Sequence, residues 1–240
     1  MADLEPLPSD WERALGVVAH PDDLEYGASA AVAEWTSAGK SVAYVLATRG
    51  EAGIDSVPPE KCGPLREREQ IEAASIVGVS AVEFLDHMDG VIEHSPRLRR
   101  DLAGAIRRHR PELIVTLNFE DTWGGGYRNS PDHRNLGLAL VDAVGDAGNR
   151  WIFRDLGLEP WNGVRWVAVC GASGPTHAAG VSPSSLDRGV KSLQAHRAYL
   201  DGLGGGPMTD ADAIIRDNAV KNGERFGGQP AVTFELIPFT

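Results

Sequence analysis

Cysteine is nearly absent from this 240-residue chain: Cys62 and Cys170 are its whole supply, and neither stands in a CxxC or CxxH spacing. A disulfide scaffold and a cysteine-based zinc site are both disfavoured. Long apolar runs are missing too. No stretch approaches the roughly 18 apolar residues of a membrane span, and residues 1–13 are acidic and proline-containing, unlike a secretory leader. A reducing cytoplasm is the expected compartment. Positive charge is in deficit, with 23 Lys+Arg against 34 Asp+Glu and a net charge of −11. Phosphates repel a chain of that sign, so a non-specific grip on nucleic acid is not expected.

What remains is the composition of an ordinary soluble globular protein, 42% hydrophobic and 24% charged. The length allows a sizeable core, and no linker, repeat or low-complexity tract interrupts it. Residues 1–240 are therefore read as a single domain. Short apolar runs alternate with amphipathic segments. Strands are expected at 14–19, 41–48, 82–85 and 112–117, and helices at 25–38, 64–77, 96–109 and 131–144. The second half is less regular, with strands at 163–169 and 231–239 and helices at 184–200 and 209–225. This alternation predicts an α/β fold: a Rossmann-like, mostly parallel sheet with helices on both faces and ligands at the carboxyl ends of the strands.

Chemistry is therefore sought just after each strand. The first is followed by His20-Pro21-Asp22-Asp23-Leu24-Glu25. An imidazole and a carboxylate are good ligands for zinc or a similar divalent ion, and His20 and Asp23 can converge across a tight turn. Asp22 would then point from another direction, as a general base toward a water. The plainer alternative is that Asp22 or Asp23 caps the following helix. After the fourth strand comes a glycine-rich passage, residues 118–130, and then Pro131-Asp132-His133 opening a helix. His133 would complete a His/Asp/His set with an open position, as a catalytic zinc needs.

Four segments resemble the LmbE-like (PIG-L) family of zinc-dependent N-acetylglucosaminyl de-N-acetylases: AHPDDLE at Ala19–Glu25, ATRGEAG at Ala47–Gly53, REREQ at Arg66–Gln70 and SPDHR at Ser130–Arg134. The resemblance implies that His20, Asp23 and His133 bind one Zn²⁺ and that Asp22 is the general base. It implies hydrolysis of the acyl amide of an N-acyl amino sugar or glycoconjugate. Two alternatives are a zinc-binding member without turnover and an amidase of thiol conjugates. Assembly into a homo-oligomer near the late helices would also fit the family.

The family writes its second block His-Pro-Asp-His, and this chain has Ser130 where the first His belongs. In the family that His helps to stabilise the oxyanion, so another donor is expected here if the protein is an efficient enzyme. His196, matching the family's late helix, is the first candidate, with Arg128 and Tyr127 behind it. Substrate contacts are expected from Arg49, Glu51, Arg68, Asp89, Tyr127 and Arg128. Arg66 is the alternative to Arg68, whose charged neighbours also suit a solvated helix face. The glycines at 124–126 read as a mobile loop over the site.

Overall fold

A computed structural model of the protein describes residues 3–239. In chain order its elements are β1 (Glu5–Pro6), β2 (Arg13–Val18), α1 (Asp23–Gly27), α2 (Ser29–Ser37), β3 (Ser41–Leu46), α3 (Pro59–Ile76), β4 (Ala81–Phe84), α4 (Pro96–His109), β5 (Leu113–Leu117), α5 (Pro131–Gly148), β6 (Trp166–Cys170), β7 (His177–Gly180), α6 (Pro183–Gln194), α7 (Arg197–Gly202), α8 (Ala211–Gly223) and β8 (Ala231–Pro238). Among the described residues, no helix is long and apolar enough to cross a membrane.

Alternation along β2 divides the core into two layers. Leu15 and Val17 pack on one face with Leu98, Leu102 and Ile106 of α4 and Leu136 and Leu140 of α5. Ala14 and Val18 pack on the other with Leu24, Trp35, Tyr44, Leu186 and Phe234. Gly16 shares that second face, where a Cβ would sit 2.6 Å from Leu24 Cδ1, so only glycine lets α1 lie this close to the sheet.

The eight strands run in the order β1-β7-β8-β6-β5-β2-β3-β4. The run from β6 through β5, β2 and β3 to β4 is parallel throughout. β8 lies antiparallel to both β6 and β7, and β1 pairs parallel with β7. The expected mostly parallel α/β architecture is present. From β2 the chain winds outward to β3 and β4, and on the other side to β5 and β6. The gap between β2 and β5 is thus the topological switch point, where ligands bind in open α/β sheets.

Several expected elements are redrawn. The helix expected at 25–38 begins at Asp23 and breaks at Ala28 into α1 and α2. Pro64 does not open its helix; α3 starts at Pro59, whose missing N–H also suits a first turn. The helix expected at 184–200 breaks at Ala195 and His196 into α6 and α7. The two short strands β1 and β7 were not anticipated. The glycine-rich passage is not a bare loop: residues 122–128 form a small hairpin closed by a Thr122–Arg128 bridge.

Candidate metal centre and active site

β2 ends at Val18 and the chain turns sharply into α1. Asp22 occupies the residue before that helix with φ 89°, the left-handed region, and its side chain makes no capping hydrogen bond. Asp23 does not cap the helix either; its Oδ2 accepts the backbone N–H groups of Ala19 (3.1 Å) and His20 (2.9 Å), behind it in the chain. Neither carboxylate therefore takes the plainer capping role. At the neighbouring strand end, Ser130 caps α5 by accepting the His133 N–H at 3.1 Å. That cap fixes the start of the helix and with it the position of the His133 ring.

Three donor groups meet between these two turns. His133 Nε2 lies 3.1 Å from Asp23 Oδ1 and 3.2 Å from His20 Nδ1, and His20 Nδ1 lies 3.7 Å from Asp23 Oδ2. Atoms each about 2.0–2.1 Å from one tetrahedral ion stand about 3.3 Å apart, which is the spacing found here. The hydrogen-bond network fixes both tautomers. Asn129 Nδ2 donates to the carbonyls of Asn118 (2.8 Å) and Glu120 (3.1 Å), so its Oδ1 must be the atom that accepts His133 Nδ1–H at 2.9 Å. The Nε2 lone pair of His133 is thus free for a metal. His20 Nε2–H is shared between Asp132 Oδ2 and Asp89 Oδ1, both at 3.1 Å, which leaves its Nδ1 lone pair facing the cluster.

A second trio, His20 with Asp89 and Asp132, is also close enough to hold an ion. Its carboxylates already have donors. Asp132 accepts the backbone N–H groups of Gly90 (2.7 Å) and Ile92 (3.0 Å), and Asp89 accepts that of Ala52 (2.8 Å). Asp23 accepts backbone N–H groups as well, so the two trios differ in what faces them: Asp89 and Asp132 take His20 Nε2–H, whereas His20 Nδ1 and His133 Nε2 turn toward Asp23.

Electrostatics favour a cation. Burial opposes charge on His20, yet Asp132, Asp23 and Asp89 together hold its proton affinity well above the usual imidazole value. Burial likewise pushes Asp23 up, but His133 and His20 pull it well below the carboxylate range. Asp22 behaves differently: burial raises it to about 6, against the pull of the Arg66 guanidinium. That guanidinium is itself buried. It donates to Asp22 Oδ2 at 2.8 Å, to the Pro21 carbonyl at 2.6 Å and to the Gly50 carbonyl at 3.1 Å, and it lies over the Tyr199 ring.

The expected substrate contacts divide into three groups. Arg49 and Glu51 sit at the carboxyl edge but bind loops to one another. Arg49 pairs with Glu67 and Asp86, and Glu51 accepts the Arg49 and Asp89 backbone N–H groups. Tyr127 and Arg128 are exposed on the hairpin, whose Trp123 ring stands edge-on to His133 at 5.8 Å. Arg68 is corrected: it faces solvent, and Arg66 is the arginine of its helix that reaches the site. His196 is corrected as well. Its side chain has no exposure and faces Glu25, so no substrate atom can touch it in this conformation. Sequence reasoning missed Asn129 and gave Asp132 nothing to hold, whereas Asp132 holds His20.

A cavity of about 470 Å³ lies beyond the hairpin, lined by Tyr26, Ser29, Gly124, Ser173, Asn218 and Lys221 among others. His20, Asp23 and His133 do not line it.

The GlcNAc-PI de-N-acetylase (PIG-L) family pattern matches residues 15–144, which hold both turns of this centre. The chain belongs to that family. The diacetylchitobiose deacetylase of Thermococcus kodakarensis is 30% identical over 146 residues, 60% of this chain and 53% of that protein. The 1D-myo-inositol 2-acetamido-2-deoxy-alpha-D-glucopyranoside deacetylase of Kineococcus radiotolerans is 32% identical over 178 residues, 60% of this chain and 47% of that one. The chain spans about half the length of these curated relatives. Among solved structures, the N,N'-diacetylchitobiose deacetylase of Pyrococcus horikoshii superposes with a TM-score of 0.82 at 22% identity, covering 95% of this chain and 85% of that one.

Proposed function

We propose that this protein is a zinc-dependent amidohydrolase that removes the acyl group, an acetyl in the simplest case, from an N-acyl amino sugar or glycoconjugate. One observation carries the reading: two imidazole nitrogens and a carboxylate converge at 3.1 to 3.7 Å beside Asp22, which contributes nothing to that cluster. The GlcNAc deacetylase names of the relatives favour the same chemistry.

His20 Nδ1, Asp23 and His133 Nε2 would hold the metal, which when bound polarises the acyl carbonyl and acidifies water. Asp22 takes the proton of the attacking water and returns it to the amine as the amide C–N bond breaks. Water and amide thus become a carboxylic acid and an amine, which at neutral pH exchange a proton to give carboxylate and ammonium. Arg66 holds Asp22 in place, and Asp89 and Asp132 hold His20. Arg49, Glu51, Tyr127 and Arg128 border the sugar, and the exposed pair on the hairpin is the nearest source of an oxyanion donor. Residues 1–240 act as one domain in this reading.

The test is a panel of N-acetylglucosamine, N,N'-diacetylchitobiose, an N-acetylglucosaminyl inositol and a thiol-conjugate amide, with acetate and free amine measured alongside zinc content. Turnover of a sugar substrate that disappears in Asp22→Asn while zinc stays bound is the expected result. Turnover confined to the thiol conjugate would move the substrate class. Bound zinc with no turnover on the whole panel would leave a binding protein of this fold.

A further inference from the structure

His196 lies in the break between α6 and α7, as the residue that precedes α7. Its ring is fully buried, with neither Nδ1 nor Nε2 hydrogen-bonded. Nε2 lies 3.5 Å from Oε2 of Glu25, which is equally buried and equally unpartnered at that oxygen. A buried polar atom without a hydrogen bond is unfavourable, and the contact between these two groups is the polar interaction recorded at both atoms. Glu25 does not end the chain of contacts. Its Oε1 accepts Gln70 Nε2–H at 3.0 Å, and Gln70 Oε1 accepts the backbone N–H of Asp22 at 3.0 Å.

The far end of that chain is a strained residue. Asp22 is one of three non-glycine residues with positive φ among the described residues, and its φ of 89° is disfavoured for any side chain with a Cβ. Strain of this kind persists only where the surroundings over-determine it. The helix that His196 opens also carries Tyr199, whose ring lies 4.3 Å from the Arg66 guanidinium that grips the Asp22 carboxylate. One short helix therefore braces Asp22 twice, through its backbone and through its side chain.

We infer that His196, Glu25 and Gln70 form a buried positioning unit that holds the strained backbone of Asp22 and so aims its carboxylate at the metal centre. The inference rests on the proposed role of Asp22 as base. His196 acts through Asp22 and makes no contact with substrate.

The experiment is an epistasis series with a crystallographic arm. His196→Ala and Gln70→Ala should each lower kcat by about 10-fold or more, with KM and zinc content near the parental values. His196→Gln, which keeps a polar group near Glu25, should recover part of the loss and serves if the alanine variant does not fold. In an Asp22→Asn background, where only the residual rate seen in single-turnover assays at high enzyme concentration is compared, the same changes should cost nothing further, because their effect runs through that carboxylate. Losses that persist undiminished in that background would overturn the inference. Crystal structures of zinc-loaded His196→Gln and Gln70→Ala should show Asp22 displaced from φ near +89° or released from Arg66. An unmoved Asp22 in both would also overturn it, even if the parent protein hydrolyses no substrate on the panel and the deacylase reading itself fails.

Discussion

Asn129 fixes the tautomer of His133: its Oδ1 accepts Nδ1–H at 2.9 Å, and its own NH₂ is tied to the Asn118 and Glu120 carbonyls. The imidazole can then offer only Nε2, the nitrogen that faces Asp23 and His20. Replacing Asn129 by Leu should leave the fold and the three ligands in place yet weaken zinc binding by about 10–100-fold, the usual cost of losing such an outer partner. Competition with a chromogenic chelator measures it. Unchanged affinity would mean that His133 is oriented by the Ser130 cap alone.

Three carboxylates surround His20, and two of them, Asp89 and Asp132, also hold backbone N–H groups of the 52 and 90–92 segments. A cation at the centre should therefore stiffen several loops at once. Protein stripped by a chelator and dialysed should gain thermal stability as zinc is added, following mass action: about 2.7 kcal/mol at a hundredfold excess over Kd. His133→Ala should flatten the titration. A Tm that rises equally in His133→Ala would place the ion elsewhere.

Arg66 and Asp22 form a buried ion pair at 2.8 Å, with side chains 3% and 7% exposed. Removing one partner leaves the other charge uncompensated, so Arg66→Met should destabilise the protein by about 3–5 kcal/mol in denaturant titrations. Arg66→Lys should rescue little, because a single ammonium cannot reproduce the fork that reaches Pro21, Gly50 and Asp22 together. Gly53→Ala offers an independent check. A Cβ there would sit 2.2 Å from Arg66 Nη1, so this distant methyl should reproduce part of the defect by pushing the guanidinium aside. Full stability in both Arg66→Met and Gly53→Ala would show the pair to be energetically neutral.

The parallel half of the sheet was legible because its strands are short apolar runs separated by periodic helices. The two turns that face one another were legible because they are the strand ends on either side of the switch point. Arg66 was obscured by its own helix. The face of α3 turned inward is Arg66, Glu69, Gln70 and Ala73, so polar residues occupy the buried side and apolar periodicity gives no phase. The α6–α7 break was hidden for a related reason, since Ser184 to Leu200 keeps a helical pattern across Ala195 and His196. β1 has two residues and β7 four, too few for a period of two to register. The role of Asn129 depends on a contact across a helix start, which no spacing rule marks.

Ser130 stands where the family places a histidine, and the structure gives this serine a task that histidine does poorly: its Oγ caps α5 through the His133 N–H at 3.1 Å. Two demands thus compete at one position, the helix cap and an oxyanion donor. Ser130→Ala should lose the cap, costing about 1 kcal/mol, while Ser130→Asp should keep it. Ser130→His should lose the cap as well, with a fall in Tm close to that of Ser130→Ala. Its effect on turnover decides between donors. If Tyr127 or Arg128 on the hairpin already faces the oxyanion, Ser130→His should change kcat little, and Arg128→Ala or Tyr127→Phe should lower it by about 10²-fold. If no donor is present, Ser130→His should raise kcat despite the lost cap, and neither hairpin variant should matter. A loss of turnover in Ser130→His beyond that in Ser130→Ala would contradict both, and would show that an imidazole at this position disturbs the neighbouring His133.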